Sequence, residues 1–451
     1  MKAWLKNVAL PAASLGLLYS LAAPSGSAFA QAAAPAAPAP AAPAAAPAAP
    51  AAEAPPQILG FDFTGYIDVG YTDFTTGKGT FFPPAMPGVA GTGAHARTFD
   101  WENGVASIQN IDLQLQRTPD SGLGGLIDLS IGKDADTIHS YGVADKNKGP
   151  YSSDVAADGT KPAITDWDPT QLYVYYGMGS VSFILGKYAT HAGQEVIKSR
   201  DDTNFSRSIL FGFAIPFTNT GLRASWKASD TLTLLLGANE GWDTVTDANN
   251  GATGEFDWEW TPGKAFSFFG TYLNGSQRVA YYPDTCAPGS SACFKKFPVG
   301  TRSLIDLIFT YNATDALSFV LNYDDGSQDK VAKSLFNPAK TGTGTATWSG
   351  GALYVNYTVN DDWRASLRGE SFSDPQNYRT VAEQAGKTTG PTWTEGTLTV
   401  AYMGIKKTEL RAEVRSDSAD QKIFADAKGD LAPSKAINSM TSVALEAIYK
   451  F

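Results

Sequence analysis

The chain has 451 residues, 43% of them hydrophobic and 18% charged, with a formal charge of -10. A mean hydropathy of -0.17 excludes a helical membrane protein, and the acidic balance opposes nucleic-acid binding. It does not exclude a membrane β-barrel, whose strands need apolar residues only at every second position.

In chain order, Lys2 and Lys6 form a basic start, Val8 to Ala23 an apolar run, and Ala28-Phe29-Ala30 a small-x-small cleavage site. Residues 1–30 are therefore expected to be a removed secretory signal peptide, taking the charge from -10 to -12 as two lysines leave. Residues 31–57 are almost pure Ala and Pro. They offer nothing to bury and read as a disordered, polyproline-like linker. Residues 58–451 are the folded part.

From Phe61 onward about sixteen short segments alternate apolar and polar residues. Ile111, Leu113 and Leu115 oppose Asn110, Asp112, Gln114 and Gln116; Leu222, Ala224 and Trp226 oppose Arg223, Ser225 and Lys227; Phe256, Trp258 and Trp260 oppose Glu255, Asp257 and Glu259. The links between segments are short and long by turns. This predicts an all-β fold, a transmembrane antiparallel barrel with short periplasmic turns and long extracellular loops. A soluble sandwich has no reason to sort its links by end. At that strand count the interior is too wide for wall side chains to fill, which predicts an aqueous channel. Tyr173, Tyr175, Trp226, Trp258, Trp348, Trp363, Trp393, Tyr402 and Tyr449 fall near strand ends and suit the lipid–water boundary. Tyr66, Tyr188 and Tyr354 are read as facing inward.

The third long link, His191 to Asn219, begins with Glu195, Lys198, Arg200, Asp201, Asp202 and Arg207 and ends apolar from Ile209 to Phe217. So greasy a tail suits a loop folded into the lumen, where its charges would narrow the pore. In a closed ring the wall opposite carries Arg364, Arg368, Arg411 and Arg415. Two readings follow. Glu195, Asp201 and Asp202 face these arginines across the eyelet as a transverse field, or the arginines pair with Glu370, Glu409 and Glu413 as neutral wall ladders.

Gly186-Lys187-Tyr188, Gly193-Gln194-Glu195, Ser206-Arg207-Ser208 and Ile215 to Gly221, with Thr64 to Tyr71 and the last strand, resemble the OmpL-like β-barrel porin family from about Phe61 to Phe451. The resemblance implies a Gram-negative outer-membrane porin passing small hydrophilic solutes and ions by passive diffusion. It also implies outer-membrane lipid as surroundings and a homotrimer. A substrate-selective channel for sugars or organic ions is the alternative, and a structural or adhesion barrel a lesser one.

Cys286 and Cys293, six residues apart in a Pro/Gly/Ser-rich loop with no histidine near, suit a disulfide rather than a metal site. His95, His139 and His191 fall in separate loops, so no metal, cofactor or catalytic group is expected. Asp324 to Asp329 faintly resembles a calcium loop but lacks its distal Glu, and reads as a solvated acidic loop. The last strand places Val443, Leu445, Ala447, Tyr449 and Phe451 on one face. Its aromatic end, Tyr449 and Phe451, resembles the signal read by the barrel-assembly machinery.

Overall fold

A computed structural model describes residues 55–76, 97–100, 103–140, 167–245, 251–278, 299–332, 343–380, 389–426 and 435–451. The signal peptide, the body of the Ala/Pro linker, His95, Cys286 and Cys293 lie outside the described residues. Its strands are β1 Phe61–Thr76, β2 Val105–Arg117, β3 Ser121–Ile131, β4 Trp167–Met178, β5 Val181–Ala189, β6 Thr218–Lys227, β7 Leu232–Trp242 and β8 Thr253–Trp260. Then come β9 Phe266–Arg278, β10 Val299–Asn312, β11 Leu317–Ala332, β12 Thr343–Asn360, β13 Trp363–Ser373, β14 Thr392–Ile405, β15 Thr408–Ala419 and β16 Ser439–Lys450.

Each strand pairs antiparallel with the next, and β16 pairs with β1 through registers such as Glu446 opposite Gly70 and Leu445 opposite Tyr71. The sheet counts 17 strands, of which the two-residue Gln57–Ile58 only flanks the start of β1; the other sixteen close the ring. Closure has a physical cause. An unpaired backbone amide or carbonyl in lipid costs several kcal/mol, so no edge strand is tolerable there.

Alternation sets the two faces. On β16, Val443, Leu445 and Tyr449 point out at 44%, 60% and 48% exposure, while Ser442, Glu446 and Ile448 point in and are buried. Leu172, Leu185, Leu236, Leu321, Leu353, Leu367 and Leu398 continue the outer apolar band. Links between β2 and β3, β4 and β5, and later even–odd pairs are short, while the odd–even links are long. The one α-helix among the described residues, α1 Lys133–Ile138, lies in the second long link.

Two expectations change. Asp324 to Asp329 is not a loop but part of β11, paired from Asp324 opposite Gly350 to Gln328 opposite Ala346. The β11–β12 ribbon extends further than alternation alone suggests, because Gly326 leaves room for the Trp348 indole opposite; a Cβ there would meet the ring at 2.2 Å. Second, Trp226, Trp363 and Tyr449 do face outward, but Tyr173, Tyr175, Trp348 and Trp393 point inward and are buried. Their place near a strand end says nothing about face.

The chain end is locked into the seam. Phe451 N–H donates to Gly65 O at 3.0 Å, Gly65 N–H donates to Phe451 O at 3.1 Å, and the Phe451 ring lies 6.0 Å from that of Phe63. Deleting Phe451 removes these bonds from the closing strand pair. The folded yield in membranes, read as heat-modifiable mobility on gels, should fall severalfold while the conductance of each barrel that does form is kept; equal loss of both would refute a role in assembly.

Candidate functional site

The link between β5 and β6, residues 190–217, enters the barrel and crosses it. Two short turns shape it, a 3-10 turn at Ser199–Asp201 and a wide turn at Leu210–Ala214. Gly193 takes φ +94°, and a Cβ there would lie 2.6 Å from the Ile215 side chain, so the entry bend requires glycine. The apolar tail is the reason the loop turns inward. Ile209, Leu210, Phe211, Ile215 and Phe217 are each at most 2% exposed, packed with Phe99, Leu273, Leu304, Ile308, Val320, Trp348 and Phe372. Burying each such side chain contributes roughly 1.5–3 kcal/mol, a gain that offsets much of the roughly 1–2 kcal/mol per residue that ordering the tail's backbone costs. Trp348 Nε1–H donates to Ala214 O at 2.9 Å, and Arg379 Nε–H to Phe213 O at 2.5 Å.

The charged half of the loop is fastened on two sides. Toward β1–β3, the Lys198 ammonium lies 3.2 Å from Asp112 and 3.0 Å from Asp128. Beside it Ser199 Oγ donates to Asp68 at 2.5 Å, and Arg200 reaches Gln114 at 3.2 Å. Toward β13–β15, Arg368 holds Glu195 at 2.5 Å, Glu395 at 3.0 Å and the Ser206 carbonyl at 2.7 Å. Arg411 donates to the carbonyls of Ser199, Asp202 and Asn204 while pairing with Glu409 and Glu446. Arg415 donates to Arg207 O and pairs with Asp417, and Arg364 pairs with Glu409 at 2.6 Å. Glu413 accepts the Phe205 and Ser206 amides, and Glu370 those of Ile209 and Leu210.

The four wall arginines therefore do not face the loop's acids across water; they grip the loop, Arg364 through Nη2–H to Thr203 O at 3.4 Å. Of the wall ladders considered, Arg411–Glu409 exists, whereas Glu370 and Glu413 are taken by loop amides. Within the loop, Arg207 pairs with Asp202 at 2.9 Å and donates to Val196 O and Ile197 O. Arg200 and Asp201 are the open ones, with side chains 17% and 30% exposed, near Lys450 at the short-link end. Asp68, Asp112, Asp128, Glu370 and Glu413 are docking residues that sequence reading missed. Their only signal is an inward carboxylate on a strand, which does not say what it meets.

Every one of the sixteen strands carries an inward side chain with under a tenth of its surface exposed. Tyr66, Tyr188 and Tyr354 do face inward but are buried, Tyr66 accepting from Asn110 and Tyr188 donating to Asn239. His191 has Nδ1 3.0 Å from Asp257 and Nε2 3.2 Å from Arg223, and burial with that guanidinium lowers its pKa to about 3. Neither nitrogen meets a hydroxyl to activate.

Two predictions follow from this docking. Lys198→Met would strand Asp112 and Asp128 without their cation, at a cost of about 3–5 kcal/mol. Protease cleavage within 190–217, or a larger single-channel conductance, should report the loosened loop, and a loop as protected as before would contradict its anchoring role. The second concerns pH. Burial raises the Asp202 carboxyl to about 8 although Arg207 and Arg411 oppose the shift and Glu195 reinforces it; Asp134 is raised by burial to about 7. A raised carboxyl favours the docked state fully below its solvated pKa, near ~4, and that stabilisation is lost as pH rises through about 8. The released fraction should grow roughly tenfold from pH 7 to 9, read as conductance steps, and Asp202→Asn should flatten the profile.

Residues 60–451 match the family described as "Putative beta-barrel porin-2, OmpL-like". Among solved structures, the outer membrane channel DcaP of Acinetobacter baumannii is similar with a TM-score of 0.53 at 12% identity, over 87% of this chain and 97% of that one. An anion-selective porin from Comamonas acidovorans aligns at 0.51 and 10% identity, over 87% and 99%. OmpT of Vibrio cholerae aligns at 0.50 and 10%, over 87% and 97%. Comparison with curated proteins gives no match.

Proposed function

The chain belongs to the OmpL-like β-barrel porin family, and from that premise we propose that the docked loop 190–217 is the constriction that decides what passes. It is a porin of the Gram-negative outer membrane, a channel protein in a closed sixteen-strand barrel. Small hydrophilic solutes and ions diffuse down their gradients past the loop. The observation that carries this reading is the two-sided grip on the loop, Lys198 on Asp112 and Asp128 at one wall and Arg368 on Glu195 at the other. A loop so held keeps Glu195, Lys198, Asp202 and Arg207 at fixed positions in the lumen, with Arg200 and Asp201 as the charges a solute meets from the periplasmic side. Arg364, Arg368, Arg411 and Arg415 act as the wall that positions it.

A substrate-selective channel is the second reading, favoured by the burial of inward side chains on every strand. It calls for solutes that block the current competitively. An enzyme reading has little to stand on, since both nitrogens of His191 are engaged by Asp257 and Arg223. Around this core the precursor loses residues 1–30, residues 31–57 serve as a spacer, Tyr449 and Phe451 address the barrel-assembly machinery, and three copies associate; the last is supported by the family resemblance and is tested by the mass of the native particle.

Purified protein in planar bilayers should conduct in discrete steps in KCl with no energy source. Bilayers that stay closed across pH 6 to 9 and in the Lys198→Met variant would sink the porin mechanism proposed here.

A further inference from the structure

Among the described residues, most buried or half-buried arginines have carboxylate partners, and two do not. Arg97, Arg207, Arg223, Arg364, Arg368, Arg411 and Arg415 each lie within ion-pair distance of Asp or Glu. Among the described residues Arg302 and Arg379 have none, and they converge on one place. Arg302 stands over the Trp242 ring at 4.8 Å and the Tyr378 ring at 5.8 Å; Arg379 stands over Trp242 at 5.4 Å and Trp348 at 5.3 Å. Sharing the Trp242 ring keeps the two guanidiniums within about 10 Å of each other.

Topology puts this cluster in the outer vestibule. Trp242 ends β7, Arg302 and Trp348 sit near the starts of β10 and β12, and Tyr378 and Arg379 lie in the β13–β14 link, all at the long-link rim. Aromatic faces orient a guanidinium but leave its charge and its N–H edge unspent. Arg302 uses Nε on Gln328 and Nη2 on the Tyr378 hydroxyl, both neutral acceptors. Arg379 uses Nε on Phe213 O, and neither of its Nη groups has a partner among the described residues. Trp242 is 4% exposed, and its Nε1–H is buried without an acceptor. The carboxylate in the neighbourhood, Asp243, accepts the Phe217 and Thr218 amides with Oδ1 at 2.8 and 3.0 Å, and its charge reaches Arg302 and Arg379 without an ion-pair contact to either. Among the described residues, the two cations and the indole donor thus have no carboxylate at ion-pair or hydrogen-bond distance.

We propose that Arg302, Arg379 and Trp242, framed by Trp348 and Tyr378, form a subsite for a small organic carboxylate in the outer vestibule. The planar forks suit a bidentate carboxylate, and the aromatic frame suits its apolar remainder. The idea rests on the channel reading only for the route by which the anion arrives. Because Arg379 also holds Phe213 O, an anion bound here sits directly against the tail of the constriction loop.

The test uses the whole detergent-solubilised barrel and benzoate as probe, titrated by calorimetry. Benzoate should bind, with affinity at least tenfold weaker in the Arg302→Gln, Arg379→Gln double variant and severalfold weaker in Arg379→Gln alone. The single variant serves if the double one loses heat-modifiable mobility. Arg117→Gln, an exposed residue at the opposite rim, should bind as the parent does. Inorganic phosphate in place of benzoate reports whether the aromatic frame contributes, and weaker binding of phosphate is expected. Unchanged benzoate affinity in the variants, or equal binding of neutral benzyl alcohol, overturns the subsite. Conductance in KCl is read separately, so a barrel that binds benzoate but never conducts would refute the porin mechanism and spare the subsite.

Discussion

The interaction on which everything else depends is the backbone ladder between β16 and β1. In lipid an unpaired peptide group finds no water, so a sheet survives there only as a ring. Closing it joins Ser439–Lys450 to Phe61–Thr76, residues from opposite ends of the folded chain. Once closed, every strand must present alternate residues to lipid and to the lumen, and the inward carboxylates of β1–β3 and β13–β16 become neighbours of whatever enters the barrel.

What enters is the loop 190–217, and two forces hold it. Its apolar tail packs on an inner wall that is itself apolar around Leu304, Ile308, Val320 and Phe372. Its charged half uses ion pairs from which water is excluded. The contrast with the exposed pair Lys227–Asp230, whose acid is 94% exposed, is one of magnitude: such a pair contributes about 0–1 kcal/mol, whereas breaking a buried one costs several. The arginine wall thus does mechanical work through backbone carbonyls as much as electrostatic work through carboxylates. The wide ring is what leaves room for the loop. Sixteen strands leave more room than wall side chains fill, and a segment of the chain's own length occupies it.

Net charge, negative over the whole chain, is a poor guide to such an interior. Acidic groups at the loop are mostly matched by Lys198, Arg207 and the wall arginines, while in the outer vestibule Arg302 and Arg379 have no carboxylate at ion-pair distance among the described residues. Local pairing, not the total, decides the sign a solute meets.

The barrel was legible in the sequence because period two is a local property: Ile111, Leu113 and Leu115 against Asn110, Asp112 and Gln114 needs no knowledge of neighbours. Link lengths are local too, and they sorted the rims. The greasy stretch Ile209 to Phe217 also announced an inward loop by its composition alone. Register and face at a distance were not legible. Nothing near Lys198 in sequence points to Asp112, 86 residues away, nor anything near Phe205 to Glu413, 208 residues away. Trp348 and Trp393 read as boundary residues and turned out to be inner ones, since an aromatic near a strand end fits either face. The arginine wall was located by counting strands around a ring, but whether it meets the loop across water or in contact depends on how deep the loop's tail can bury itself. That depth is settled by packing among residues from β9 to β13, a property of the closed barrel which no single stretch of the chain contains.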